Sequence, residues 1–104
     1  MKKQIEFKPL YLVERLTEEL GVSISYVYDD LVFIENGDVL LQFDAIKPET
    51  VNLYVNSNIH TDDIQATEER WQQVALMKDV CLVNKGTFAV EQIPGVEEIS
   101  ITFN

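Results

Sequence analysis

Two reactive side chains are nearly missing from this 104-residue chain, which has one cysteine, Cys81, and one histidine, His60. A single cysteine excludes an intrachain disulfide and any paired-cysteine metal or redox motif. Its neighbours Val80, Leu82 and Val83 predict a small buried apolar residue, in keeping with a reducing compartment. A lone histidine leaves nucleophilic catalysis with one ordinary candidate base, and a Cys81–His60 pair is not expected from their settings, one in an apolar run and the other before a helix. The four glycines stand apart, with no glycine-rich loop and no GK[ST] stretch, so no phosphate cradle is present. No apolar run reaches the ~18 residues that cross a membrane. Residues 1–8 lack the apolar centre of a signal peptide, so the expected location is cytoplasmic.

Positive charge is also scarce. Eight basic residues face eighteen acidic ones, for a net charge of −10, and Lys2, Lys3 and Lys8 all lie at the start. Such a body repels phosphate backbones and anionic lipid, which excludes an ordinary nucleic-acid or membrane-surface ligand and favours a basic partner. The acids fall in doublets, Glu18-Glu19, Asp29-Asp30, Asp62-Asp63, Glu68-Glu69 and Glu97-Glu98, spread along the chain rather than gathered in a tail. With acids this numerous, no pair stands out for general acid–base work. His60 with Asp62 and Asp63 is better explained by helix capping than by a metal, and Glu35 opposite Asp38 by solvation at a turn. No cofactor and no metal are expected.

The clearest pattern is the stretch from Leu31 to Phe43, two apolar runs around Asn36-Gly37, which reads as a β-hairpin on a type I′ turn. That register sets Ile34 against Val39, Phe33 against Leu40, Val32 against Leu41 and Leu31 against Gln42, with Phe43 opposite Asp30. One face then carries Val32, Ile34, Val39, Leu41 and Phe43, while the other still carries Leu31, Phe33 and Leu40. A sheet with one wet face should alternate cleanly, so both faces are expected to be covered, one by helices and the second by the chain's own loops, a second copy or a partner.

Elsewhere, Lys2 to Phe7 permits a short first strand. Pro9 opens a helix with Leu12, Val13, Leu16 and Leu20 on one stripe, closed by Gly21. From Val22 the period changes to two, with Val22, Ile24, Tyr26 and Tyr28 on one face and Ser23, Ser25 and Val27 on the other. Asp29-Asp30 turns into the hairpin. Asp44 to Glu49 is a loop, and Val51 to Val55 a fourth strand. Thr61 is the expected N-cap of a second helix with Ile64, Trp71, Val74 and Ala75 buried. It either continues through Cys81 and Leu82 to Asn84-Lys85-Gly86 or stops near Asp79, leaving Val80 to Val83 as a strand. Thr87 caps a short helix through Ile93, Pro94-Gly95 turns the chain, and Val96 to Phe103 forms the last strand.

The fold class is therefore α+β, a single-domain two-layer sandwich with a mainly antiparallel sheet of about five strands and two main helices on one face. The run from Ile93 to Phe103 resembles the helix-to-strand unit of ferredoxin-like domains, without the paired cysteines of the metal carriers. The order helix, three-strand meander, helix resembles the outline of small acidic secretion chaperones, which implies a binding protein.

These features favour a non-enzymatic protein-binding module of adaptor, inhibitor, immunity or secretion-chaperone type, with Leu31, Phe33, Leu40, Tyr26, Tyr28 and Tyr54 as candidate binding residues. Its counterpart is a protein partner or a second copy in a homodimer. One alternative is a small-molecule or effector-binding domain in which Tyr26, Tyr28, Tyr54 and Trp71 line a pocket between helices and sheet. Another is a nucleic-acid mimic with acids in phosphate-like rows.

Overall fold

A computed structural model of the chain describes residues 9–47, 49–92, 95 and 99–103. The proposed first strand from Lys2 to Phe7 and the Glu97-Glu98 doublet lie outside the described residues. Helix α1 (Leu10–Leu20) is followed by strands β1 (Ile24–Tyr28), β2 (Leu31–Ile34), β3 (Val39–Phe43) and β4 (Thr50–Asn56), then helix α2 (Thr61–Lys78) and strands β5 (Cys81–Gln92) and β6 (Ile99–Phe103). The strands form one six-stranded sheet in sequence order. Neighbours are antiparallel except β4 and β5, which run parallel and are joined by α2. A parallel neighbour needs such a crossover, because a tight turn can only reverse the chain.

The hairpin has the expected register, with Leu31, Val32 and Phe33 facing Gln42, Leu41 and Leu40, and the Phe43 amide donating to the Asp30 carbonyl at 2.9 Å. Its turn differs from type I′. Among the described non-glycine residues only Asp29 and Asp79 have positive φ, so Asn36 does not, while Gly37 does (φ 79°). The Gly37 amide donates to the Ile34 carbonyl, and the Asn36 Oδ1 accepts from the Asp38 amide, so the loop is tightened by an Asx bond rather than by two left-handed residues. Strand β4 secures the tip, since the Asn56 Nδ2 donates to the Gly37 carbonyl at 2.9 Å.

Both helices lie on one face of the sheet. Leu12, Val13 and Leu16 of α1 and Trp71, Val74 and Ala75 of α2 share a core with Val32, Ile34, Val39, Leu41, Phe43, Val51, Leu53, Val55 and Leu82. Burying apolar side chains of this size contributes roughly 1.5–3 kcal/mol each before conformational entropy is charged against it. Between the helices a surface ion pair joins the Lys78 Nζ to Glu19 at 3.3 Å, worth at most about 1 kcal/mol when exposed.

The helices end by the same device. After α1, Gly21 takes the left-handed conformation (φ 74°) while the Val22 amide reaches back to the Thr17 carbonyl. After α2, Asp79 takes that place (φ 61°) and the Val80 amide bonds the Ala75 carbonyl at 2.8 Å. This stop settles the choice at residues 80–83: the helix ends at Lys78 and the strand begins at Cys81. The N-cap of α2 is His60, one residue before the expected Thr61, and its Nδ1 accepts from the Asp62 amide at 3.3 Å.

Three expectations are overturned in β5. Residues 87–92 form no short helix, because residues 88–92 pair with β6 (Phe88 with Phe103 through Gln92 with Ile99) and residues 87 and 88 pair with β4 (Thr87 with Val55, Phe88 with Asn56). Ladder bonds of this kind override local helix preference. Gly86 does not stop a helix; it lies where the β4–β5 register slips past Lys85. Cys81 is exposed rather than buried, because it begins β5 on the side away from the helices, where its Sγ meets the Thr50 hydroxyl at 3.7 Å.

Candidate functional site

Cross-strand partners share a face, so the register assigns every strand side chain to the helix side or the outer side. Leu31, Phe33, Leu40 and Tyr54 fall on the outer side. Tyr26 and Tyr28 join them because they pair with Phe33 and Leu31. The single face proposed for Val22, Ile24, Tyr26 and Tyr28 is thus corrected. The ladder runs Ile24 with Ile34 and then Tyr26 with Phe33, so Ser25 is an extra residue that bulges out of β1. Its Oγ donates to the Phe33 carbonyl at 3.2 Å. Val22 and Ile24 consequently pack on the helix-side core, while the tyrosines are delivered to the opposite side.

All six candidate binding residues therefore lie on one face. Leu40, fully buried, is flanked in register by Phe33 and Tyr54 and forms the floor. The Tyr26 ring packs on Phe33 (centroids 6.1 Å apart) and stacks on Tyr28 (6.4 Å, planes 11° apart). Tyr26 and Tyr28 remain 59% and 61% exposed, so they offer ring area and hydroxyls to whatever approaches.

The face extends further than the sequence indicated. Phe88 pairs with Phe103 and Val90 with Ile101, and the Phe103 ring meets Tyr54 at 4.4 Å. Those two rings come from strands on either side of β5, at the level where Gly86 has no side chain to separate them. The alternation of Ile101 and Phe103 was a usable signal, but only the parallel placement of β5 puts it beside Tyr54.

Polar groups line the same side. The Tyr54 hydroxyl donates to the Gln42 Oε1 at 3.4 Å, and the Gln42 Nε2 donates to the Asp30 Oδ2 at 3.0 Å. Next to this relay, the Asn52 Nδ2 donates to the Asp44 Oδ1 at 3.3 Å, and the Asp44 Oδ2 accepts from the Ile46 and Lys47 amides. Those backbone bonds to Lys47 and Ile46, with the Asn52 amide and the nearby Lys85 charge, hold the Asp44 carboxyl below its ordinary value of 3.8 against a smaller opposing effect of burial. Asn52 itself is 95% buried (5% exposed), and its Oδ1 has no hydrogen-bond partner among the described residues. Two carboxylates are thereby tied to the outer face by amide side chains.

Other candidate groups stand apart. Trp71 sits in the helix–sheet core, across the sheet from Tyr26, Tyr28 and Tyr54, so these four rings do not line one cavity. His60 and Cys81 lie beyond opposite ends of α2, whose eighteen residues span roughly 27 Å. No group of three or more potential metal ligands occurs among the described residues. No helix of the described residues is long and apolar enough to cross a membrane. Apolar exposure that the sequence did not flag occurs at Leu76 and Met77 in the last turn of α2.

The chain matches no protein-family model, no curated protein and no solved structure.

Proposed function

We propose that the chain is a non-enzymatic protein-binding module that receives a basic segment of another protein on the outer face of its sheet. The observation that carries this reading is the convergence of Tyr26, Tyr28, Leu31, Phe33, Leu40 and Tyr54 opposite both helices, with the two leading tyrosines mostly exposed. Tyrosine suits such a face, since its ring buries against an apolar side chain while its hydroxyl stays hydrogen-bonded. Arginine and lysine stack on exposed rings, and Asp30 and Asp44, held by Gln42 and Asn52, add acceptors on the same face. The net charge of −10 steers a cationic partner toward the body as a whole.

Self-association is the second reading, supported by the same exposed tyrosines. It is disfavoured by the repulsion between two bodies each carrying −10. Light scattering at low and high salt separates the two: a monomer at both favours a foreign partner, and a salt-insensitive dimer favours a second copy.

The direct test selects displayed random peptides of about twelve residues, ample to cross a strand, on the full chain. The expected binders are rich in arginine or lysine and in aromatic residues, and Y26A/Y28A weakens them about ten-fold or more, a loss of about 1.4 kcal/mol. Failure to recover binders, or binders indifferent both to that double substitution and to salt, refutes the proposal.

A further inference from the structure

Resting on that reading, we infer that the partner enters as an extended strand laid along the edge of β1 away from β2, with its basic side chains beside Asp29-Asp30 and over the Tyr26 and Tyr28 rings. Strand β1 pairs with β2 on one side, and no strand among the described residues pairs with its other side. Its sequence Ile24-Ser-Tyr-Val-Tyr28 has no charge, proline or lysine, the usual guards against edge pairing. The guard it does have is the bulge at Ser25, which spoils regular pairing at one end and leaves residues 26–28 as a regular segment whose outer edge no described strand pairs. Exposure follows the same division: Tyr26, Val27 and Tyr28 are all exposed, on both faces of the strand, whereas Ile24 packs on the core.

Charge commits the occupant. Residues 26–28 run directly into Asp29 and Asp30, in a body of net charge −10, so an incoming strand flanked by lysine or arginine is matched at its end and along its approach. The tyrosine rings, stacked 6.4 Å apart on one side of β1, present faces on which a guanidinium or ammonium group can rest. At the sheet's other edge, β6 is also uncharged, but its Phe103 ring is already engaged by Tyr54. Strand addition gives affinity through main-chain bonds and selectivity through alternate side chains, which suits a platform with rings on one side and Val27 on the other.

The test uses peptides recovered by the selection above and hydrogen exchange on the full chain. Each peptide is made in two N-methylated forms, blocking alternate amides in one phase or the other. One phase is expected to lose binding at least about ten-fold and the other to retain it, because only every second amide of an added strand faces β1. Alternate amides within residues 25–28 of the chain are expected to exchange at least about ten-fold more slowly with peptide bound. If both methylated forms bind alike while Y26A/Y28A still weakens them, the face is a binding site and strand addition is overturned. If peptide binding ignores Y26A/Y28A, the broader function fails instead. Slow exchange of those amides in the free chain also overturns the inference: dependence on protein concentration would mean that a second copy closes the edge, and independence that the chain closes it itself.

Discussion

The two faces of the sheet are both apolar, yet they are completed differently. On the helix side every strand residue of the core, from Val32 to Leu82, is valine, leucine, isoleucine or phenylalanine, and the helices seal it with Leu16 and Trp71. On the outer side Leu40 is equally dry, but its register partners are Phe33 and Tyr54, and the face around it mixes apolar side chains with Tyr26, Tyr28, Tyr54 and Gln42, which end in polar atoms. Hydrophobicity alone does not distinguish a core from a docking surface. The distinction lies in whether the covering residues can tolerate water on one end while filling space at the other.

Leu53→Ala and Leu40→Ala challenge this contrast most strongly. Leu53, under the helices, is expected to lose about 2–5 kcal/mol, and Leu40 to stay near the lower bound because its register neighbours Phe33 and Tyr54 can settle into the gap. Urea unfolding measures both, and a Leu40 loss matching or exceeding that of Leu53 would mean that the outer face is packed as rigidly as the core. Asp79→Gly sharpens the contrast from the other direction. It relieves a left-handed non-glycine residue at the end of α2 and is expected to add roughly 0.5–1 kcal/mol while leaving peptide affinity unchanged. Tyr28→Ala should shift stability by no more than about 0.5 kcal/mol, as befits an exposed site, while still weakening binding.

The smallest effect concerns Asp44 and is confined to acid. Its folded carboxyl ionises more readily than in the unfolded chain, so the anion stabilises the fold above pH 3.8, and this contribution disappears as pH falls through the lower folded value. Asp44→Asn should therefore be less stable than the parent at pH 6, with the gap narrowing toward pH 3 in paired unfolding curves. A gap that is constant across that range would show that the loop bonds to Ile46 and Lys47 do not depend on the charge.

The hairpin, the α1 stripe and the core of α2 were legible because each depends on local spacing: Val32/Leu41 and Phe33/Leu40 followed from the turn position, and Leu12, Val13 and Leu16 from helical period. What escaped was non-local or too local. Residues 87–92 become strand through pairing with β6, joined in part by β4, which no short window contains. Asp79 ends α2 in a conformation usually given to glycine, so a stop near Asp79 and a continuation to Gly86 both stayed open in the sequence. The six candidate binding residues belong to two separate patterns, and their common face depends on Ser25, a residue whose extra step is invisible in simple alternation.

That serine has one more implication, for how the chain tolerates change in length. Its removal would let Ile24 and Tyr26 follow one another as ordinary ladder neighbours with no side chain crossing to the opposite side, whereas the loss of Val27 would invert what lies beyond it. Position 25 is therefore where natural variants or designed trims can shorten β1 without exchanging its anchored half for its presented half.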